Sequence, residues 1–107
     1  MALTRDFNEA VRSRASSDAA FRRQLLCNAL GALLEGELDV GKSVLRDYIN
    51  ATIGFEGLSV RVGTPSKSLH RMFGPQGNPK SANLFNVIST LQQAEQIRLE
   101  VSVSTGG

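Results

Sequence analysis

The apolar positions of this chain keep a helical rhythm for most of its length and change to a strand rhythm near the end. From Phe21 onward, Leu25, Leu26, Ala29, Leu30, Leu33 and Leu34 recur at steps of three and four, the stripe of an amphipathic helix. Ser16-Ser17-Asp18 supplies N-cap chemistry just ahead of that stripe, and Gly36 marks its end. A second stripe follows in Val40, Val44, Leu45, Tyr48, Ile49 and Ile53, with Asp39 placed to cap it and Gly54 to stop it. So short a turn predicts an antiparallel helical hairpin. Upstream, Asp6 to Arg14 reads as a short polar helix anchored by Phe7 and Val11.

Beyond Gly54 the punctuation is denser. Gly63, Gly74-Pro75 and Gly77-Asn78-Pro79 divide the chain into three shorter helices, Phe55–Val62, Pro65–Phe73 and Ser81–Gln93. Thr64-Pro65 reads as a helix start, because threonine can accept a free N–H and proline at the first helical position loses nothing by lacking one. Gly74-Pro75 is the matching stop. The last helix is expected to bury Leu84, Phe85, Val87, Ile88 and Leu91.

Then the period becomes two. Ile97, Leu99, Val101 and Val103 alternate with Arg98, Glu100, Ser102 and Ser104, which predicts a strand. A lone strand leaves its backbone groups unpaired, so it must pair with a second copy, join the sheet edge of another protein, or fray. The predicted architecture is an all-α, repressor-like helix-turn-helix bundle with a short C-terminal β-strand used for pairing. Residues 1–17 form an N-terminal helix or arm, 18–94 the helical domain, and 95–107 the strand and tail.

Two short helices around a glycine turn are the skeleton of a helix-turn-helix, here over residues 55–73. Leu58, Val62, Leu69 and either Met72 or Phe73 face inward in that reading, and Gly63 takes the positive φ of the turn. The second helix then presents Ser66, Lys67, His70 and Arg71. Arginine and lysine donate to guanine O6 and N7, and serine can contact bases or backbone oxygens. Base reading is accordingly assigned to Ser66, Lys67 and Arg71. Thr64 and Ser68 suit phosphate contacts, and Lys80 with Asn78 adds another at the next helix start.

Charge sharpens this picture. The formal net charge is only +2, but it is unevenly placed. Residues 1–56 sum to −1 and residues 95–107 to −1, whereas 57–94 carry Arg61, Lys67, Arg71 and Lys80 with no acid, a sum of +4. A basic island of this kind is what a phosphate-facing surface needs.

With 107 residues the chain suits one domain, and its apolar and charged fractions are those of a globular protein. It has no apolar run long enough to span a bilayer, and its charged start lacks a secretory segment, so a cytoplasmic location is expected. Cys27 is the only cysteine, which excludes an intramolecular disulfide and predicts a small buried hydrophobe. His70 is the only histidine and has no acidic or sulfur partner at ligand spacing, so no metal site is expected. Tyr48 reads as core with its hydroxyl reaching the surface, and Arg12, Arg14, Arg22 and Arg23 read as a solvated face. No phosphate loop and no nucleophile in register with a base are present, so neither an enzyme nor a cofactor is expected.

The run Leu58-x4-Gly63-x5-Leu69-x-Arg71, then Gly77-Asn78-Pro79, then Leu84-x3-Ile88-x2-Leu91, resembles the Cro/C1-type (Xre) helix-turn-helix. With Leu45-Arg46-Asp47-Tyr48-Ile49-Asn50-Ala51-Thr52-Ile53-Gly54-Phe55, the chain is similar more narrowly to HigA-type addiction-module antidotes, over about Leu25 to Leu91. That resemblance implies a cytoplasmic bacterial antitoxin, which neutralises a RelE/ParE-like ribonuclease toxin and represses its own operon as a homodimer on a palindrome. Ser59 and Val60 depart from the small alanine usual in the family, which predicts looser packing between the motif helices. The Ile97–Val103 segment lies outside the shared pattern. Two other functions fit the residues: a stand-alone phage-type repressor without a toxin, and a protein-interaction module that kept the fold but lost DNA reading.

Overall fold

Asp18 opens the first long stripe as its position predicts. Its carboxylate accepts the Phe21 N–H at 3.1 Å, taking up one of the donors a first helical turn leaves free. The computed structural model describes residues 2–106, with side chains from Glu9 onward. Those residues form α1 (Ala2–Ser17), α2 (Ala19–Leu34), α3 (Leu38–Ala51), α4 (Gly54–Val62), α5 (Ser66–Met72) and α6 (Ser81–Glu95). The all-helical class expected from the sequence is therefore observed. The first helix is longer than predicted; Phe7 lies outside the described side chains, Val11 is half-buried and Ala15 is buried.

α2 and α3 make the predicted hairpin. Gly36, at φ +82°, lets the chain leave α2 with Gly36 N–H bonded to Leu33 O and Glu37 N–H to Ala32 O. Both bonds satisfy carbonyls that the helix end would otherwise orphan. Asp39 does not cap α3: the helix already begins at Leu38, and Asp39 stands exposed in its first turn. Close packing of the pair needs Gly41, where a Cβ would lie 2.5 Å from Leu33 Cδ2 and 3.3 Å from the Ala29 carbonyl.

The core gathers Leu26 and Ala29 of α2, Leu45 and Ile49 of α3, Leu58 of α4 and Leu91 of α6, all essentially inaccessible. Four expectations about burial are corrected at residues that sit one step off a stripe or at its end; one is Val40, in the first turn of α3, which is 50% exposed. Cys27 is exposed, because Leu26 and Ala29 take the inner face of α2 and a helix turns about 100° per residue. Phe85 is 61% exposed for the same reason, beside buried Leu84, Val87 and Ile88. Leu34, at the tip of the hairpin, runs past the core and is exposed.

A single buried carboxylate ties α2 and α3 to the end of α6. Glu95 accepts Arg22 Nε at 2.9 Å on both oxygens, Arg23 Nε at 3.3 Å, and the Tyr48 hydroxyl. Arg22 and Arg23 are thus not a solvated face, and the Tyr48 hydroxyl ends on an acid rather than at the surface. Arg12 and Arg14 are engaged too: Arg12 lies 3.7 Å from Asp47, and the Arg14 guanidinium sits 4.7 Å from the centre of the Phe21 ring.

Burial alone would raise the Glu95 carboxyl, but the hydrogen bonds from Tyr48 and Arg22 and the nearby guanidinium charges outweigh it and hold the carboxyl below its ordinary value. A lowered folded value means that Glu95 adds stability above the ordinary carboxylate range and loses it as pH falls through the folded value. Thermal unfolding followed from pH 6 to pH 3 is expected to show a smaller loss of Tm for Glu95→Gln than for the wild type. Equal slopes would mean that Glu95 is not the acid-sensitive tie. Tyr48 is displaced the other way, upward, by burial and then by its bond to Glu95, so it contributes no loss in this acid range.

The predicted C-terminal strand is absent among the described residues. Gln96 caps α6 in the left-handed conformation at φ +60° and turns the chain back. Gln92 then accepts both inward amides, Ile97 N–H at its main-chain oxygen (3.0 Å) and Leu99 N–H at Oε1 (2.8 Å). A strand is defined by its ladder, and one chain supplies no second strand. Ile97 and Leu99 are half-buried against the core, while Val101 and Val103 stand free.

Candidate nucleic-acid interface

The turn between α4 and α5 is built on Gly63. It closes α4 at φ +74°, ψ +23°, with its N–H on Ser59 O at 2.9 Å, a conformation that favours glycine. Thr64 is not the N-cap predicted for the next helix. Pro65 takes that place with ψ +141°, α5 starts at Ser66, and no side chain caps it. The physical reason lies in the proline: its ring disfavours helical backbone at Thr64, so the corner stays extended through Pro65.

Leu69 and Phe73, both 1% exposed, hold α5 against the core with Leu58 of α4. Val62 and Met72 pack at the margin. Of Ser59 and Val60, Val60 points away and is 84% exposed, while Ser59 is half-buried. The outside of α5 carries Lys67, His70 and Arg71, and Lys67 and Arg71, four residues apart, share one face.

The other predicted contacts differ. Ser66 is half-buried and its hydroxyl donates to Glu56 Oε1 at 3.1 Å, which places an acid beside the start of α5. His70 is exposed, but its ring lies over Phe55 with centroids 4.2 Å apart. Thr64 and Ser68 are half-buried; Asn78 and Lys80 are exposed on the loop that follows α5. Lys80 occupies the N-cap position of α6.

Two residues unassigned in the sequence set the pose of α5. Lys42 of α3 is 2% exposed, and its ammonium donates to Gly74 O at 3.0 Å and to Gly77 O. Arg46, one turn on, donates to Phe73 O at 3.3 Å. Both cations meet the C-terminal end of α5, where free carbonyls carry partial negative charge. Gly77 completes the fit, since a Cβ there would fall on the carbonyl oxygens of Arg71 and Met72. A signal was available: Lys42 lies at helical spacing from Leu45 and Ile49, on the buried stripe rather than the solvent face.

A separate cleft of about 670 Å³ is lined by Arg22, Arg23, Thr52, Glu95 and Gln96. Both guanidinium groups are already engaged by Glu95, so the cleft does not offer a free anion site. Among the described residues, no three His, Cys, Asp or Glu side chains come together to hold a metal ion, and no helix is long and apolar enough to cross a membrane. No family model, curated protein or solved structure matches the chain.

Proposed function

We propose that this protein binds double-stranded DNA sequence-specifically as a homodimer and represses transcription where it binds, with α5 lying in the major groove. The observation that carries this reading is the pair Lys67 and Arg71, exposed on one face of a short helix whose other face and C-terminal end are fixed by Leu69, Phe73, Lys42 and Arg46. A recognition helix must be held rigidly and must present donors, and α5 does both. Base reading falls to Lys67 and Arg71. Ser66, drawn onto Glu56, moves from base reader to a brace between the motif helices. Arg61, Asn78 and Lys80 supply phosphate contacts around it, with Thr64 and Ser68 nearer the turn. In a dimer the two α5 helices would enter successive major grooves about 34 Å apart.

The test is a salt titration of binding to the DNA upstream of the protein's own reading frame, against a scrambled duplex of equal length. Affinity is expected to fall steeply with salt on both and to favour the upstream DNA, because phosphate contacts release counterions and base contacts discriminate. Arg71→Ala is expected to weaken binding to the preferred duplex by roughly tenfold to a hundredfold while leaving binding to the scrambled one much less affected. Unchanged operator binding by that variant would refute readout by α5 and favour the interaction-module reading.

Within this reading, the resemblance of residues 25–91 to HigA-type antidotes supports a finer role as a cytoplasmic antitoxin that neutralises a RelE/ParE-like toxin and represses its own operon. Co-expression with the product of the neighbouring small reading frame tests it. Relief of growth arrest supports the antitoxin role, and no relief leaves a stand-alone repressor.

A further inference from the structure

The chain end carries an open edge. Ile97 and Leu99 turn inward to the core, and Val101 and Val103 continue the same side of the alternation, 83% and 88% exposed. Arg98 and Glu100 share the other side, both exposed between half-buried Ile97 and Leu99, the alternation of extended chain, with Arg98 Nη2 3.3 Å from Glu100 Oε1. In such a segment the N–H and C=O of one residue leave by one edge, and those of the next leave by the other. Gln92 takes the N–H groups of Ile97 and Leu99, so that edge faces α6. The edge formed by Arg98, Glu100 and Ser102 faces away, and its backbone groups make no hydrogen bond among the described residues.

We propose that this edge pairs antiparallel with the same edge of a second copy, about a two-fold axis through Leu99. In that register Arg98 stands opposite Glu100 of the second copy, and Glu100 opposite its Arg98. These are also the residues whose free N–H and C=O groups the open edge offers, so charge and hydrogen bonding select the same pairing. Ile97 of one chain covers Val101 of the other. Sliding by two residues sets Arg98 against Arg98 or Glu100 against Glu100, and sliding by one sets apolar against polar positions. Packing of Ile97 and Leu99 on each core gives the ribbon a support that an isolated pair of strands lacks. The pairing rests on the homodimer in the function proposed above, and is independent of whether α5 binds DNA.

The experiment measures mass by sedimentation at micromolar concentration, without DNA. The wild type is expected at twice the single-chain mass, and Arg98→Glu or Glu100→Arg alone at the single-chain mass. The double variant Arg98→Glu/Glu100→Arg, and an equal mixture of the two single variants, are expected to return to twice that mass. In a Cys27→Ser background, Leu99→Cys should cross-link to itself on mild oxidation. Val101→Cys should not, because the two copies of position 101 lie four residues out of register, about 13 Å along the ribbon. A monomeric wild type would overturn the pairing and leave the edge to a protein of another sequence. Single reversals that stay dimeric, or equal cross-linking at 99 and 101, would overturn it as well. A dimer that fails to bind DNA would sink only the function proposed for α5.

Discussion

Lys42→Met is expected to lower the unfolding free energy by about 3 kcal/mol, read as a shift of the urea midpoint at constant slope. Methionine replaces the apolar stem but not the donors. Two half-buried carbonyls, Gly74 O and Gly77 O, then lose the ammonium that satisfies them. A fully buried unsatisfied acceptor costs about 1–3 kcal/mol, and these two are half-buried neighbours, so their sum is discounted. Replacing a buried charge by an apolar group is harmless only when its partners are replaced too, and here the carbonyls remain. Asp39 does not enter the balance: it is 3.8 Å from the ammonium but 93% exposed. A loss below about 1 kcal/mol would mean that water reaches both carbonyls and the loop after α5 is not clamped. Under the function proposed for α5, the folded variant is also expected to bind DNA more weakly, because the C-terminal end of α5 has lost its seat.

Glu95→Leu is expected to cost a similar amount, about 3 kcal/mol, at neutral pH. Its carboxylate, 5% exposed, is the shared acceptor of Arg22, Arg23 and Tyr48. Leucine leaves the Tyr48 hydroxyl and the Arg22 guanidinium facing an apolar group. Arg22 keeps its bond to Ala15 O at 3.3 Å and is 24% exposed, and Arg23 is half exposed, so water recovers part of the loss. This places the expectation at the lower end of the range for breaking a buried ion pair, about 3–5 kcal/mol. Glu95→Leu combined with Tyr48→Phe should recover some stability by removing the orphaned hydroxyl. If the double variant were the worse by the sum of both losses, Tyr48 and Glu95 would not act as a pair.

The stripes of α2, α3 and α6 were readable because repetition at three and four survives uncertainty about any one residue. Asp18 and Gly63 were readable because local backbone chemistry alone decides them. The ties that hold the elements together were not. Arg22 meets Glu95 across 73 positions of sequence, and nothing local marks the two as partners. Cys27 and Phe85 sit beside strong stripes, where a single helical step separates core from solvent. The outward placement of Lys67 and Arg71 followed from the period of α5. The brace on Ser66 did not, because Glu56 lies just outside the acid-free stretch in sequence and beside it in space. A lysine is ordinarily a surface residue, which masks the place of Lys42 on the buried stripe of α3.

The clamp of α3 on the end of α5 also bears on how such a protein can change over generations. Lys42, Arg46 and Gly77 act on main-chain carbonyls of α5 and its following loop, so they hold the helix whatever side chains its outer face carries. Gly77 meets position 71 only at its main-chain oxygen, and the side chains of Lys67 and Arg71 make no hydrogen bond or ion pair among the described residues. A lineage can therefore exchange the residues it presents there one at a time without first passing through an unfolded ancestor, and if α5 reads a ligand as proposed, its preference can change the same way.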